Sequence, residues 1–216
     1  MKTKKSLEFN KGISKIFIAK TCYINIVIFF MHLYLKDKFI YFKDYKIKCS
    51  IGKMGLTKKK AEGDLKTPRG SFNFKYLMYR SDRVNNIQTK LKKIKIEKKF
   101  GWCDDTSSND YNKLIQFPFK KNAERLYLKE NIYDLILVIN YNANPISKNK
   151  GSAIFLHLAN KKFSSTKGCI AIKKRDFLKI LPSINKKRKL LFLKDLGPII
   201  ADPILKNVDL YLIAIL

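Results

Sequence analysis

Short segments in which hydrophobic and polar residues alternate dominate the first half of the chain and predict β-strands. Residues 39–52, FIYFKDYKIKCSIG, contain two β-rich segments with Lys43-Asp44 between them, and we predict a β-hairpin. Residues 58–70 are polar and contain two glycines and a proline, a composition typical of a surface loop. Residues 71–80, SFNFKYLMYR, alternate again and predict a half-buried strand.

The second half of the chain contains continuous apolar runs of the kind found in strands at the centre of a sheet. These runs are 132–141 (IYDLILVINY) and 153–158 (AIFLHL), and an LLFL segment that begins at Leu190 is predicted to be the last strand. Helix signals are sparse before residues 173–181 (KKRDFLKIL), a helical pattern closed by Pro182. We therefore predict a mainly β fold with few helices, in the α+β class.

The two ends of the chain are predicted to be extensions of a single domain over residues 36–195. A chain of 216 residues with 46% hydrophobic content is long enough to bury one core. Residues 1–35 contain basic residues followed by the apolar run 23–35, which is either a signal or anchor segment or a first strand. The apolar residues 196–216 are predicted to be an appended element that packs on the domain or on a membrane.

The formal net charge of +29 has two interpretations. A basic surface concentrates polyanions such as nucleic acid, anionic lipid or acidic cell-wall polymers. Only six of the 46 basic residues are arginine, however, and the abundance of Lys, Ile and Asn also fits codon bias. No arrangement of arginines, or of aromatic and basic residues, matches a nucleic-acid-binding motif, so we predict no specific nucleic-acid partner.

The cysteines and histidines give no sign of a metal site. The four cysteines are scattered without a Cys-x-x-Cys pair, and a bridge from Cys103 to Cys49 or Cys22 is left open. Only two histidines, His32 and His157, occur in the chain, and no glycine-rich phosphate loop is present. We therefore predict neither a metal nor an organic cofactor.

The segment 152–172, SAIFLHLANKKFSSTKGCIAI, places His157 at the end of one apolar run and Cys169 at the start of another. A cysteine is a nucleophile only as the thiolate, so it needs a nearby base or positive charge, and His157 and Lys167 are the candidates. If the two runs are adjacent strands joined by a loop, the imidazole and the thiol can meet across the pair. The alternative is that Cys169 is a small buried hydrophobe and His157 a core histidine.

The turn that precedes the cysteine has further features suited to acyl chemistry. Gly168 leaves room for a carbonyl to approach, and the backbone N–H groups of this turn are candidate donors to the oxyanion of a tetrahedral intermediate. Thr166 is a candidate for orienting the loop by hydrogen bonding.

Residues 101–112 (GWCDDTSSNDYN) form either a binding loop or an ordinary polar loop anchored by Trp102.

These motifs resemble the L,D-transpeptidases of the YkuD family, whose signature is a His followed by a Ser/Thr-His-Gly-Cys group. The matching residues here are His157 and Thr166-Lys167-Gly168-Cys169. The family's Gly…Thr-Pro-x-Gly-x-Phe segment is matched by Thr67, Pro68, Gly70 and Phe72. Over about residues 45–185, further segments are similar, in the same order, to a compact bacterial subgroup: GWCDD, Tyr111-Asn112, Glu124-Arg125, Tyr133 to Leu135 and Tyr141-Asn142.

The sequence departs from the family pattern at three points. Lys167 stands where many members have a second histidine, and Ala171 replaces a frequent Asn. The spacer from His157 to Thr166 is shorter than in the best-known members. These differences bear on the choice of substrate, since the candidate nucleophile and base are both retained.

The resemblance implies a β-sandwich-like domain that transfers acyl groups on peptidoglycan stem peptides. Cys169 would form a thioester and release D-alanine, with His157 as base and the Gly168-Cys169 backbone around the oxyanion. An amine acceptor would give a cross-link, whereas water would make the protein a carboxypeptidase or amidase-type hydrolase. The resemblance also implies a substrate pocket, with acids suited to an ammonium, whose candidate residues are Trp102, Asp104, Asp105, Tyr111, Glu124, Thr166 and Lys167.

Three functions are compatible with the sequence. The first is a cysteine-dependent L,D-transpeptidase of the periplasm or cell envelope, with a part in cell-wall organisation and cell shape. The second is a hydrolase of the same fold. The third is a non-catalytic basic module that binds anionic envelope polymers, in which Cys169 is merely buried. The oligomeric state and the acyl acceptor are left open.

Overall fold

A computed structural model describes residues 32–58 and 60–192 of the chain. Within these residues it contains fourteen strands, one α-helix, and 3-10 turns at Asn131–Tyr133 and Leu181–Ser183. The helix α1 is Lys174–Ile180. The strands are β1 Leu33–Lys36, β2 Phe39–Phe42, β3 Tyr45–Ser50, β4 Leu56–Thr57, β5 Thr67–Pro68, β6 Ser71–Tyr79, β7 Lys93–Lys95, β8 Phe100–Cys103, β9 Leu114–Gln116, β10 Ala123–Arg125, β11 Leu135–Ile139, β12 Phe155–Leu158, β13 Ile170–Ile172 and β14 Lys189–Phe192.

The largest sheet closes on itself. Its strands follow the order β11-β12-β13-β3-β2-β1-β14-β6, and β6 pairs with β11 to complete the circuit, while β7 is added on β6. Most neighbours are antiparallel, but the pairs β1–β14, β12–β13 and β6–β7 are parallel. A three-stranded sheet, β10-β8-β9, forms a second layer.

Side chains of β11 and β12 alternate between two apolar clusters because successive residues of a strand point to opposite faces. Leu135, Leu137 and Leu156 belong to a large core that also contains buried residues of α1. Ile136 and Phe155 face the other way and pack with residues of β8 in a second cluster. The two sheets therefore pack face to face across β11 and β12, which gives the domain its sandwich-like character.

The main secondary-structure predictions are confirmed. The hairpin is β2–β3, paired from Phe39↔Lys48 to Phe42↔Tyr45 with Lys43 and Asp44 at the turn. The strands predicted over residues 71–80, 132–141 and 153–158 appear as β6, β11 and β12, and the first three residues of the LLFL segment lie in β14, while its last residue is outside the described part of the chain. The predicted helix is α1, so the fold is mainly β as expected.

The predicted N-terminal extension reaches only partly into the described residues. Its last residues form most of β1, Leu33–Lys36, whereas residues 1–31 and the predicted C-terminal extension lie outside the described part of the chain. In that described part, no helix has the length and apolar character needed to cross a membrane. Cys49 and Cys103 are free thiols, so the bridge between them that the sequence left open is absent.

Candidate active site

The strands β12 and β13 place His157 and Cys169 on the same face of the closed sheet. Leu156 pairs with Ile170 and His157 with Ala171, in parallel register. Cys169 lies two residues before Ala171, so period-two alternation directs it to the side on which His157 lies. The predicted juxtaposition of the two apolar runs as adjacent strands is therefore correct.

The Cys169 thiol is held by backbone groups at the edge of the second apolar cluster. It is 8% exposed, donates to the Ala153 carbonyl at 3.0 Å, and accepts the Phe155 N–H at 3.3 Å. Burial and the Glu124 carboxylate raise the pKa of the thiol from 9.0 to about 12, against opposing effects of the Phe155 N–H and Lys60. The resting cysteine is therefore a protonated thiol at neutral pH.

The His157 imidazole is neutral and oriented by the backbone. Its Nδ1 lies 2.9 Å from the Leu158 carbonyl, an acceptor, so we assign the proton to Nδ1 and the free lone pair to Nε2. Burial lowers the pKa of His157 from 6.5 to about 4, although the Leu158 and Ile132 carbonyls act in the opposite direction. The ring of Tyr133 meets the imidazole edge to face at 5.2 Å between centroids. These contacts leave Nε2 as a base over most of the pH range.

Two threonines fix the turn that carries the thiol. The Thr166 hydroxyl donates to the Cys169 carbonyl at 2.6 Å and accepts the Gly168 N–H at 3.2 Å. The buried Thr67 hydroxyl donates to the Gly168 carbonyl at 2.7 Å and accepts the Gly52 N–H at 2.8 Å. The peptide groups on both sides of Gly168 are thus held by hydrogen bonds to side chains.

Glycine is required at position 168. Its φ of +152° is a conformation that L side chains rarely adopt, and an added Cβ would lie 3.1 Å from the Lys66 carbonyl oxygen. This explains the glycine of the motif by backbone geometry.

A cavity of about 630 Å³ opens at the thiol and collects most of the predicted site. Its walls come from the loops after β4, β8 and β12, from β10 and β12, from the 3-10 turn Asn131–Tyr133 and from the segment just before β12. Its lining includes His157, Thr166, Lys167, Gly168, Cys169, Asp104, Glu124, Tyr133, Lys60 and Glu62. A cavity of this size accommodates a short peptide next to the nucleophile.

Two predicted acids, Asp104 and Glu124, make part of this cavity anionic. Glu124 accepts a hydrogen bond from the Tyr133 hydroxyl at 2.8 Å, and burial raises the pKa of Glu124. Burial, together with the charges of Glu62 and Asp105, raises the pKa of Asp104, whose Oδ1 has no hydrogen-bond partner among the described residues. A bound cation would relieve the cost of these desolvated carboxylates.

Three other predicted residues do not line the cavity. Trp102 is 4% exposed, and its indole packs on Phe155 at 5.0 Å between ring centroids. Asp105 accepts the N–H and hydroxyl of Ser107 at 2.8 and 2.6 Å. Tyr111 is buried, and its hydroxyl donates to Glu62 at 2.5 Å. These side chains support the walls, while their predicted contact with substrate stays a prediction.

Asn112 was not selected from the sequence, yet it connects several parts of the site. Its Oδ1 accepts the Trp102 indole N–H at 2.9 Å and the Ala153 N–H at 3.1 Å, while its Nδ2 donates to the Asn142 carbonyl at 2.7 Å. Ala153, whose carbonyl accepts the Cys169 thiol proton, has a positive φ of 49°. The repeated Tyr-Asn pairs at 111–112 and 141–142 were the available signal, but their contacts appear only in the structure.

Comparison with known proteins agrees with this geometry. The family model for the L,D-transpeptidase catalytic domain, YkuD, matches residues 23–192, which is most of the chain. No curated protein and no solved structure matches the chain. The protein therefore belongs to the L,D-transpeptidase catalytic domain family, whose activity is directed at peptidoglycan, and the resemblance stated from the motifs is confirmed.

Proposed function

We propose that this protein is a cysteine-dependent acyltransferase that joins peptidoglycan stem peptides through a thioester on Cys169. The observation that carries the proposal is the placement of a buried thiol and a backbone-oriented imidazole on one face of adjacent strands, at the wall of a peptide-sized cavity. The family assignment supports peptidoglycan as the substrate.

The proposed acylation step begins with proton transfer from the Cys169 thiol to Nε2 of His157 as the sulfur attacks the carbonyl between a diamino acid and the terminal D-alanine. The intermediate is a tetrahedral oxyanion. Because the Gly168 N–H is engaged with Thr166, we assign the Cys169 N–H as the backbone donor to that oxyanion. Collapse of the intermediate breaks the C–N bond, and His157 returns the proton to the amine of departing D-alanine.

The second step resolves the thioester. An incoming amine loses a proton to His157 while it attacks the thioester carbonyl, and the restored thiol leaves. An amine from a second stem gives a cross-link. Water in the same position gives a trimmed peptide, so the nature of the acceptor separates a transferase from a hydrolase.

The substrate ammonium is proposed to lie between Asp104 and Glu124. Both carboxylates line the cavity near Cys169, and burial disfavours their charge until a cation arrives. Lys167 lines the same cavity and is suited to a substrate carboxylate. A tetrapeptide stem carries both an ammonium and carboxylates, so it offers a partner for the acidic residues and for Lys167.

The test is intact-mass analysis of wild type and Cys169→Ala after incubation with a tetrapeptide-stem muropeptide and, separately, with a carbapenem. We expect an adduct on wild type alone, together with release of D-alanine. His157→Asn should fold with the thiol present and acylate far more slowly. Folded wild type that forms neither adduct nor product would overturn the proposal and favour a non-catalytic basic module.

A location in the periplasm or cell envelope is proposed from the substrate. The measurement is labelling of Cys169 in intact cells with a thiol reagent that does not cross the inner membrane. Labelling of wild type and not of Cys169→Ala supports the location. Labelling only after the cells are lysed would contradict it.

A further inference from the structure

Lys60 lies in a wall of the cavity and had no role in the sequence-based predictions. Its side chain is only 3% exposed, and its ammonium donates to the Ala61 carbonyl at 2.7 Å and to Asp64 at 2.5 Å. Asp64 also accepts the backbone N–H groups of Ala61 and Lys66 at 3.0 and 2.9 Å. These bonds hold the pKa of Asp64 below its ordinary value although burial opposes them, so the pair is a fixed ammonium–carboxylate unit.

This lysine is packed against the turn that carries the nucleophile. A Cβ added at Gly151 would lie 2.7 Å from Lys60 Cγ, and one added at Gly168 would lie 3.7 Å from Lys60 Cε. The side chain therefore passes between two glycines, one of which immediately precedes Cys169. Lys60 and Cys169 line the same cavity.

The charges around the Cys169 thiol oppose one another. Burial and the Glu124 carboxylate disfavour the thiolate, whereas Lys60 is the charged side chain that favours it. Lys167 is different because it is exposed and acts on Glu124 and Asp104. A buried ammonium acts on a neighbouring charge with less screening than a solvated one.

We propose that Lys60, held by Asp64 against Gly168, is a positioning residue that supplies the fixed positive charge favouring the thiolate form of Cys169. The proposal rests on the proposed role of Cys169 as the nucleophile. The Asp64 carboxylate orients the Lys60 ammonium, and its negative charge offsets part of the positive charge that acts on the thiol. Arginine at position 60 would keep the charge, and methionine would keep the apolar stem alone.

The test measures the rate of Cys169 alkylation by iodoacetamide against pH, with the modified peptide identified by mass spectrometry and Cys169→Ala as the blank. Lys60→Met should slow alkylation about tenfold at each pH between about 6 and 9, which is the equivalent of about one unit in the pKa of the thiol. Lys60→Arg should stay near wild type. Lys53→Met is the matched control, because Lys53 is an exposed lysine of a neighbouring turn.

Lys60→Gln is a second neutral replacement for the case in which Lys60→Met fails to fold, and it should slow alkylation to the same extent. An unchanged alkylation rate in a folded neutral variant, or a Lys60→Arg variant that slows as much as the neutral one, would overturn the proposal. Wild type that alkylates with the expected profile but forms no acyl-enzyme would overturn the proposed function and leave this inference standing.

Discussion

At the scale of single residues, the candidate nucleophile and base are both neutral at rest. Burial raises the pKa of Cys169 to about 12 and lowers that of His157 to about 4. A preformed thiolate–imidazolium pair is therefore unfavourable in the empty cavity. In the proposed reaction, proton transfer and attack would therefore be coupled, and bound substrate would stabilise the charges that form.

The decrease of the acylation rate at low pH tests the environment of His157. Because burial lowers its pKa from 6.5 to about 4, the imidazole stays an unprotonated base in mildly acidic solution. We expect the acylation rate at saturating substrate to fall only as the pH approaches that lowered value, whereas KM should rise earlier because burial raises the pKa values of Asp104 and Glu124, the carboxylates proposed to bind the substrate ammonium. The measurement is the rate of acyl-enzyme formation against pH. A decline centred on the ordinary histidine value would mean that the imidazole is solvated during turnover.

Glu124 is expected to have opposite effects on the thiol and on substrate binding. Its charge raises the pKa of Cys169, so Glu124→Gln should lower that pKa and speed alkylation. The same substitution removes a carboxylate proposed to bind the substrate ammonium, so KM for the muropeptide should rise. Alkylation and steady-state kinetics measure the two effects separately.

Tyr133→Phe is the control for this substitution. It removes the hydroxyl that donates to Glu124 but keeps the carboxylate, so the thiol should not become more reactive through loss of charge. If Glu124→Gln slowed alkylation, the assigned sign of its effect on Cys169 would be wrong.

At the scale of strands and turns, the sequence predicted the elements that depend on residues close together in the chain. The hairpin β2–β3 needs only a turn between two alternating segments, and the juxtaposition of His157 and Cys169 needs only two apolar runs joined by a short loop. Lys60 and Tyr133 were missed as neighbours of Cys169, because they approach it only when distant loops fold over β12 and β13. Closure of the sheet depends on the long-range pairs β1–β14 and β6–β11, for which the local pattern carries no signal.

Thr67 ties the loop after β4 to the turn before Cys169, and Thr67→Val tests this connection. The substitution keeps the shape but leaves the buried Gly52 N–H and Gly168 carbonyl without their hydroxyl partner. We expect a loss of about 1–3 kcal/mol in the free energy of unfolding, measured in urea, and slower acylation. Thr67→Ser should retain most of both properties. A loss in Thr67→Ser as large as that in Thr67→Val would contradict this expectation, since it would show that the methyl group contributes as much as the hydroxyl.

At the scale of the whole molecule, the fold and the surface charge are separate properties. The closed sheet and its second layer are built around apolar residues, while most lysines in the described part of the chain, which contribute to the net charge of +29, are exposed. Several lysines lie over aromatic rings of the β2–β3 hairpin, such as Lys46 over Phe39 at 5.1 Å and Tyr41 at 5.9 Å. Such contacts stabilise individual side chains and leave the excess positive charge available to a partner.

If the basic surface binds anionic envelope polymers, one of the interpretations of the net charge, salt should affect this binding and the proposed acylation differently. Binding to peptidoglycan sacculi that carry anionic polymer should weaken as ionic strength rises, because exposed charges are screened beyond a Debye length of about 8 Å at physiological salt. Acylation by a small soluble muropeptide should change little, since its proposed contacts lie in the cavity. Cosedimentation with sacculi before and after removal of the polymer measures the first property, and acyl-enzyme formation measures the second. Cys169→Ala should bind to sacculi like wild type. Binding that changes neither with ionic strength nor on removal of the polymer would favour codon bias as the origin of the lysines.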